Sequence, residues 1–177
     1  FKTAVVANRQ VYIGNVKRLD EDGVKVQEGD AMYKSAVNKF DTFPISRKIE
    51  ASVQDGDEIV KLEEYADRIL QFKKNKMHLI NISQEVEFLE DTFIHKGIEL
   101  GAYLYDGKKV TILLEKDGRQ MIKESDWSTF VGGKPTIGYI AKKRQILVGS
   151  TTGTGSDGGD IYLYDLVTRS WVQGKNK

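Results

Sequence analysis

Along most of this chain apolar and polar residues alternate with a period near two, and few stretches keep a helical period. Val5 and Ala7, then Val11 and Ile13, predict two strands joined at Asn8-Arg9-Gln10. The stretch 58–68 alternates less cleanly and fits a helix as well as a strand. The strand reading is preferred, because Arg68-Ile69-Leu70-Gln71-Phe72 and Met77-His78-Leu79-Ile80-Asn81-Ile82 follow as a hairpin about Lys73-Lys74-Asn75-Lys76. Glu85 to Glu90 is then expected as an outer fourth strand, with Val86 and Phe88 facing a neighbouring sheet. The last third repeats the plan. Thr136 to Ile140 and Gln145 to Gly149 form a hairpin around Ala141-Lys142-Lys143-Arg144. A glycine-rich stretch, 151–159, leads into Ile161-Tyr162-Leu163-Tyr164, and Leu166 to Arg169 turns the chain into Ser170-Trp171-Val172.

A short phrase recurs within this pattern. Gly101-Ala102-Tyr103-Leu104-Tyr105-Asp106 returns as Gly159-Asp160-Ile161-Tyr162-Leu163-Tyr164-Asp165, with weaker copies at Val11 to Asn15 and Met77 to Asn81. Repetition of four-strand meanders predicts an all-β fold: a β-propeller-like array of four-stranded antiparallel blades, incomplete or gapped in this chain. The expected blades are residues 1–45, 46–96, 97–130 and 131–177 of one domain within a longer polypeptide. Taking Tyr12, His78, Tyr103 and Tyr162 as equivalent gives intervals of 66, 25 and 59 residues. The short interval leads to the expectation that residues are missing between Lys96 and Leu100.

Composition narrows the function classes. The chain has 177 residues, 40% hydrophobic and 30% charged, with a formal net charge of +1. That balance exerts no global pull on nucleic acid or an anionic membrane. The absence of cysteine excludes disulfides and thiolate chemistry and is consistent with a reducing cytoplasm. No apolar run reaches the roughly 18–20 residues of a membrane span. Seventeen glycines against two prolines suit many strands joined by tight turns.

No constellation of residues requires catalysis. The run 153–159 lacks the Gly-Lys-Ser/Thr ending of a phosphate loop and precedes a strand rather than a helix. Asp20-Glu21-Asp22-Gly23, Asp55-Gly56-Asp57-Glu58 and Asp157-Gly158-Gly159-Asp160 lack EF-hand spacing and read as turns. His78 occupies a position held elsewhere by tyrosines, which marks it as a packing residue, and neither it nor His95 has a serine-triad context. Adjacent carboxylates such as Glu63-Glu64 point to opposite faces of a strand. Neither metal ligands nor cofactor-binding residues are assigned. The candidate partner contacts are the tip clusters Lys73, Lys74, Lys76 and Lys142, Lys143, Arg144, together with Phe40 and Phe43. Solvated turns are the simpler account of the basic tips; contact with nucleic acid or an acidic surface needs both tips on one face. Lys39-Phe40-Asp41-Thr42-Phe43-Pro44 is expected to be a packed crossover rather than an exposed adhesive patch.

Four phrases carry a resemblance: Val37 to Pro44, Ala66 to Phe72, Tyr105-Asp106-Gly107-Lys108-Lys109-Val110, and Gly159 to Asp165. With these the chain resembles β-propeller structural proteins of tailed bacteriophages, the tail-hub and nozzle proteins and the packaged-DNA stabilisation type. Tyr-Asp-x-x-Thr-x-x-Trp at Tyr164 to Trp171 also resembles the ending of kelch-type blades. The first resemblance implies a non-enzymatic virion component, made in the host cytoplasm and placed in the tail. It implies a ring of copies at the head–tail connection, docking portal, adaptor and tail proteins and touching packaged DNA without sequence preference. The chain departs from that group in its length and in the compressed junction at 96–100. The rival reading is a kelch-like module that binds a protein or glycan, and a propeller enzyme is the third.

Overall fold

The computed structural model describes residues 1–52, 55–94, 101–132, 135–150 and 160–174. The chain divides into two units, Phe1–Glu99 and Leu100–Lys177.

The first unit is two four-stranded antiparallel meanders. β1 (Thr3–Ala7), β2 (Gln10–Leu19), β3 (Lys25–Lys34) and β4 (Lys48–Ile49) lie side by side in chain order, and so do β5 (Ile59–Tyr65), β6 (Arg68–Lys73), β7 (Lys76–Asn81) and β8 (Phe88–Ile94). The β1–β2 turn holds Asn8 and Arg9 at φ 47° and 60°. Two successive left-handed residues match the twist of a two-residue hairpin. Period-two burial turns Tyr12 and Met32 of the first sheet towards Ile59, Leu62, Ile69 and Ile80 of the second, forming one core. The sheets approach closely at Gly14, where a Cβ would lie 3.0 Å from Ile59 Cγ2 and 3.2 Å from Leu62 Cδ1. Ile13, Ala31 and Tyr33 point the other way and form a second apolar cluster, against which Phe43 packs.

The second unit pairs small hairpins with a third meander. β9 (Tyr103–Tyr105) pairs with β10 (Val110–Ile112), and β11 (Glu115–Lys116) with β12 (Arg119–Gln120). One helix, α1 (Glu124–Val131), precedes β13 (Pro135–Ile140), β14 (Gln145–Ser150), β15 (Ile161–Asp165) and β16 (Ser170–Gly174), again in chain order. Trp127 and Phe130, three apart on α1, both meet Tyr162 edge-on, at centroid distances of 5.7 and 4.7 Å. The indole N–H of Trp171 donates to the Leu113 carbonyl at 2.7 Å and ties β16 to the segment after β10.

The all-β reading and the two principal meanders agree with the sequence, and 59–65 is a strand. Other expectations need correction. The outer strand of the second sheet starts at Phe88 rather than Glu85. Val86 lies before it and is 75% exposed, because the Asn81 side chain bonds the Ser83 amide at 2.9 Å and bends the chain there. The interval 97–130 holds two-stranded hairpins and most of α1, with no four-stranded sheet among its described residues. The tyrosine positions are not equivalent either. Tyr12 sits on the second strand of its sheet, His78 and Tyr162 on third strands, and Tyr103 opens a hairpin. Intervals of 66, 25 and 59 therefore do not measure one repeat. The expected break between Lys96 and Leu100 lies outside the described residues, as does the loop 151–159.

Candidate functional site

The link from the first sheet to the second carries a polar cluster. In Asp55-Gly56-Asp57, Gly56 adopts φ 69°, a conformation that glycine takes freely. Asp57 is buried and accepts the backbone N–H groups of Lys74 and Asn75 at 2.9 and 3.0 Å, closing the β6–β7 turn. Asp55 accepts from the Lys73 ammonium at 2.9 Å and from Lys76 at 2.8 Å, and Ser52 donates to it. Burial alone would raise the Asp55 carboxyl, but hydrogen bonds from Lys76, Ser52, the Asp57 amide and Lys73 outweigh it and hold the group well below the usual carboxylate range.

The strands carry the cluster inwards. Gln71 and His78 are cross-strand partners, and Thr92 faces His78 on β8. Residues paired in this way point to one face, the face that also bears Ile69 and Ile80. Gln71 and His78 are almost fully buried. His78 Nδ1 lies 2.8 Å from the Thr92 hydroxyl. His78 Nε2 and both polar atoms of the Gln71 amide have no hydrogen-bond partner among the described residues. Burial, reinforced by the charges of Lys73 and Lys76, pushes the His78 imidazole down to about 4. A neutral, enclosed imidazole packed between sheets has the character of a core residue.

The basic tips divide accordingly. Lys73 is enclosed, with no exposed side-chain surface, and is committed to Asp55, so it presents no charge to a partner. Lys76 is half-buried on the same carboxylate, and only Lys74 of that cluster is exposed. Lys142, Lys143 and Arg144 are exposed around a single 3-10 turn, with Arg144 at φ 53°. They belong to the second unit and Lys74 to the first. In the crossover, Phe43 packs and Phe40 remains 54% exposed. The segment continues into β4, so it completes the first sheet before the chain passes to the second.

A projecting arm went unread in the sequence. β1 pairs with β2 only over Gln10–Gly14, and β4 with β3 only at Met32 and Tyr33. Beyond a bulge at Asn15, Val16 to Leu19 pair with Lys25 to Glu28 alone. Asn15, buried with φ 55°, anchors the bulge by donating to the Ile59 carbonyl at 3.1 Å. At the arm's base Glu28 accepts from Arg18, Lys48 and Tyr33. Burial pushes the Glu28 carboxyl up, yet these bonds prevail and bring it to about 2. An open groove of about 510 Å³ is lined by Lys17, Arg18, Leu19, Lys25, Val26 and Gln27. The turn residues Asp20-Glu21-Asp22-Gly23 followed by the alternating Val24-Lys25-Val26-Gln27 are the signal from which this hairpin is legible.

Among the described residues no group of three or more His, Cys, Asp or Glu is placed to hold a metal, and no helix is long and apolar enough to cross a membrane. No known protein family matches the chain, and no curated protein does.

Proposed function

We propose that the chain is a structural, non-enzymatic component of a bacteriophage tail. In this reading it forms part of a propeller-bearing ring at the head–tail connection that retains DNA and docks other tail proteins. The observation that carries the reading is the pair of up-and-down four-stranded meanders packed face to face around one core in the first unit. A third meander of the same order lies in the second unit. Blades of this kind stack by their faces and leave loops on the rims. Rings of identical copies then close through heterologous contacts.

Two surfaces supply docking chemistry in this reading. β13 is exposed along its whole length, with Ile137 and Tyr139 open to solvent. An uncovered apolar strand of this kind favours a neighbour. The cluster Lys142, Lys143 and Arg144 offers a sequence-independent contact to phosphate. The test is mass measurement of the full-length protein together with proteomics of purified virions. Rings that co-purify with particles support the assignment. A monomer absent from virions overturns it and favours the binding-module reading.

A further inference from the structure

We propose that the outer edge of β13 is a self-recognition element, which pairs antiparallel with β13 of a second copy about a two-fold axis through Gly138. Among the described residues β13 is an edge of its sheet, and it is exposed from Pro135 to Ile140. Unpaired strand edges are templates for further pairing, and proteins commonly guard them with charged side chains. β13 carries no charge between Pro135 and Ile140. The ladder beside it shows which groups it offers. Between β14 and β15 the Leu166 amide donates to the Arg144 carbonyl at 3.0 Å, and the Ser150 amide to the Asp160 carbonyl at 3.4 Å. Backbone groups alternate in direction along a strand, so Gln145, Leu147 and Gly149 turn theirs away from β15 and towards β13. Their partners there are Ile140, Gly138 and Thr136. Pro135, Ile137 and Tyr139 consequently direct their backbone groups to the open edge.

This edge is its own complement. Centred on Gly138, two copies set Ile137 of one opposite Tyr139 of the other, twice, and each pair exchanges both of its backbone hydrogen bonds. Ile137 and Tyr139 lie on one face of β13 and are 69% and 60% exposed, so each pair also covers a β-branched side chain with an aromatic one. The neighbouring registers fail. Centring on Ile137 sets Tyr139 against Pro135, which has no N–H to give. Centring on Tyr139 sets Ile137 against Ala141, where a 3-10 turn has replaced the strand. Charge selects the same occupant. An acidic or basic peptide would lay its charges beside Ile137 and Tyr139 with nothing on β13 to pair them, whereas a second β13 brings an uncharged strand to an uncharged edge. Strands of 6 residues bury well under the roughly 1,200 Å² of a stable interface, so the dimer is weak.

The contact uses one of the two docking surfaces of the tail reading but does not depend on that reading, because an isologous pair closes at two copies whereas a ring requires heterologous contacts. Sedimentation equilibrium of the full-length protein is the assay, with dimers expected as its concentration approaches about 1 mM. A Cβ added at Gly138 meets nothing within 4 Å, so a side chain placed there leaves the monomer intact. G138K and G138E each set like charges across the axis and should weaken association about tenfold or more. An equimolar mixture of the two should associate at least as well as the native chain. The chain has no cysteine, so G138C is a single-thiol probe. Residues at the axis form a non-hydrogen-bonded pair about 4.5 Å apart, a spacing that admits a disulfide. Mild oxidation should therefore join G138C faster than V172C, whose position on β16 is also exposed. Circular dichroism confirms that each variant folds. A chain still monomeric at about 1 mM, or dimers that G138K and G138E leave unchanged, overturns the proposal. Either result leaves the presence of the protein in virions to be decided by proteomics, so the tail assignment stands or falls separately.

Discussion

The buried pair of Lys73 and Asp55 predicts an asymmetry between its two halves. Asp55 is held by two ammonium groups, the Ser52 hydroxyl and the Asp57 amide, and it keeps 14% side-chain exposure, whereas Lys73 has none. Replacing Lys73 with methionine removes a charge and keeps the volume. Asp55 then still has Lys76 at 2.8 Å and some exposure to water, so no buried charge is left uncompensated and the cost should stay below about 1 kcal/mol. Asp55→Asn leaves an enclosed ammonium without its anion. Stranding one member of a buried pair costs about 3–5 kcal/mol, and the nearby Asp57 carboxylate keeps the value at the low end. The double variant D55N/K73M strands nothing and should lose much less than D55N alone. Urea unfolding measures this. The two tryptophans, Trp127 and Trp171, both belong to the second unit, so their fluorescence serves as an internal reference while circular dichroism follows all the sheets. With a urea dependence of about 2 kcal/mol per molar, D55N should move the first-unit transition down by about 1.5 M. K73M should move it by less than about 0.5 M. K73M as costly as D55N, or a double variant equal to the sum of the singles, would refute the reasoning.

Three further outcomes are expected. His78 has its folded value depressed to about 4 from 6.5; the unfolded chain therefore takes up the proton first as pH falls. Stability is complete above about 6.5 and declines by about 3 kcal/mol between 6.5 and 4. H78F should flatten that window in a series of urea midpoints, leaving the loss at lower pH. That later loss includes Glu28, whose contribution disappears as pH falls from 4.5 towards 2. G14V should cost about 1–3 kcal/mol by overpacking the close approach to Ile59 and Leu62, and thermal unfolding would expose the error if the variant proved neutral. F43A should cost about 1–3 kcal/mol and F40A less than about 0.5, and equal losses would contradict the placement of Phe43 against Ile13 and Tyr33.

The legible part of this molecule is its strand grammar. Alternation and two-residue turns carry their own geometry, so β1, β2, β5, β6, β7 and the last meander could be read locally. Alternation does not reveal whether a lysine at a hairpin end faces water. Lys73 looks like its neighbour Lys74 in sequence, and what separates them is Asp55, 18 residues upstream and brought over the sheet by the link. The helix α1 escaped because Trp127, Phe130 and Val131 are a single apolar turn among polar residues, too short to show a period. The tyrosine phrase misled for a different reason. A buried aromatic or imidazole is accommodated on any strand with a covered face, so its recurrence reports burial and not the place of a strand in its sheet.

Polar bonds between the two sheets of the first unit give that unit a definite register. Asn8 donates to the Ile82 carbonyl at 2.9 Å, the Thr3 hydroxyl accepts the Leu62 amide at 3.0 Å, and Asn15 reaches the Ile59 carbonyl at 3.1 Å. At the far edge Lys34 pairs with Glu87 at 2.6 Å, and Tyr12 donates to the same carboxylate. An apolar core alone tolerates a sliding repack at modest cost, but each of these side chains meets its partner at one offset only. A slide of one residue would strand buried donors and acceptors at about 1–3 kcal/mol each. The first unit should therefore unfold as one cooperative body. It also gives the projecting arm a fixed base: Asn15, the bulge residue from which the arm departs, is one of the residues that lock the sheets together.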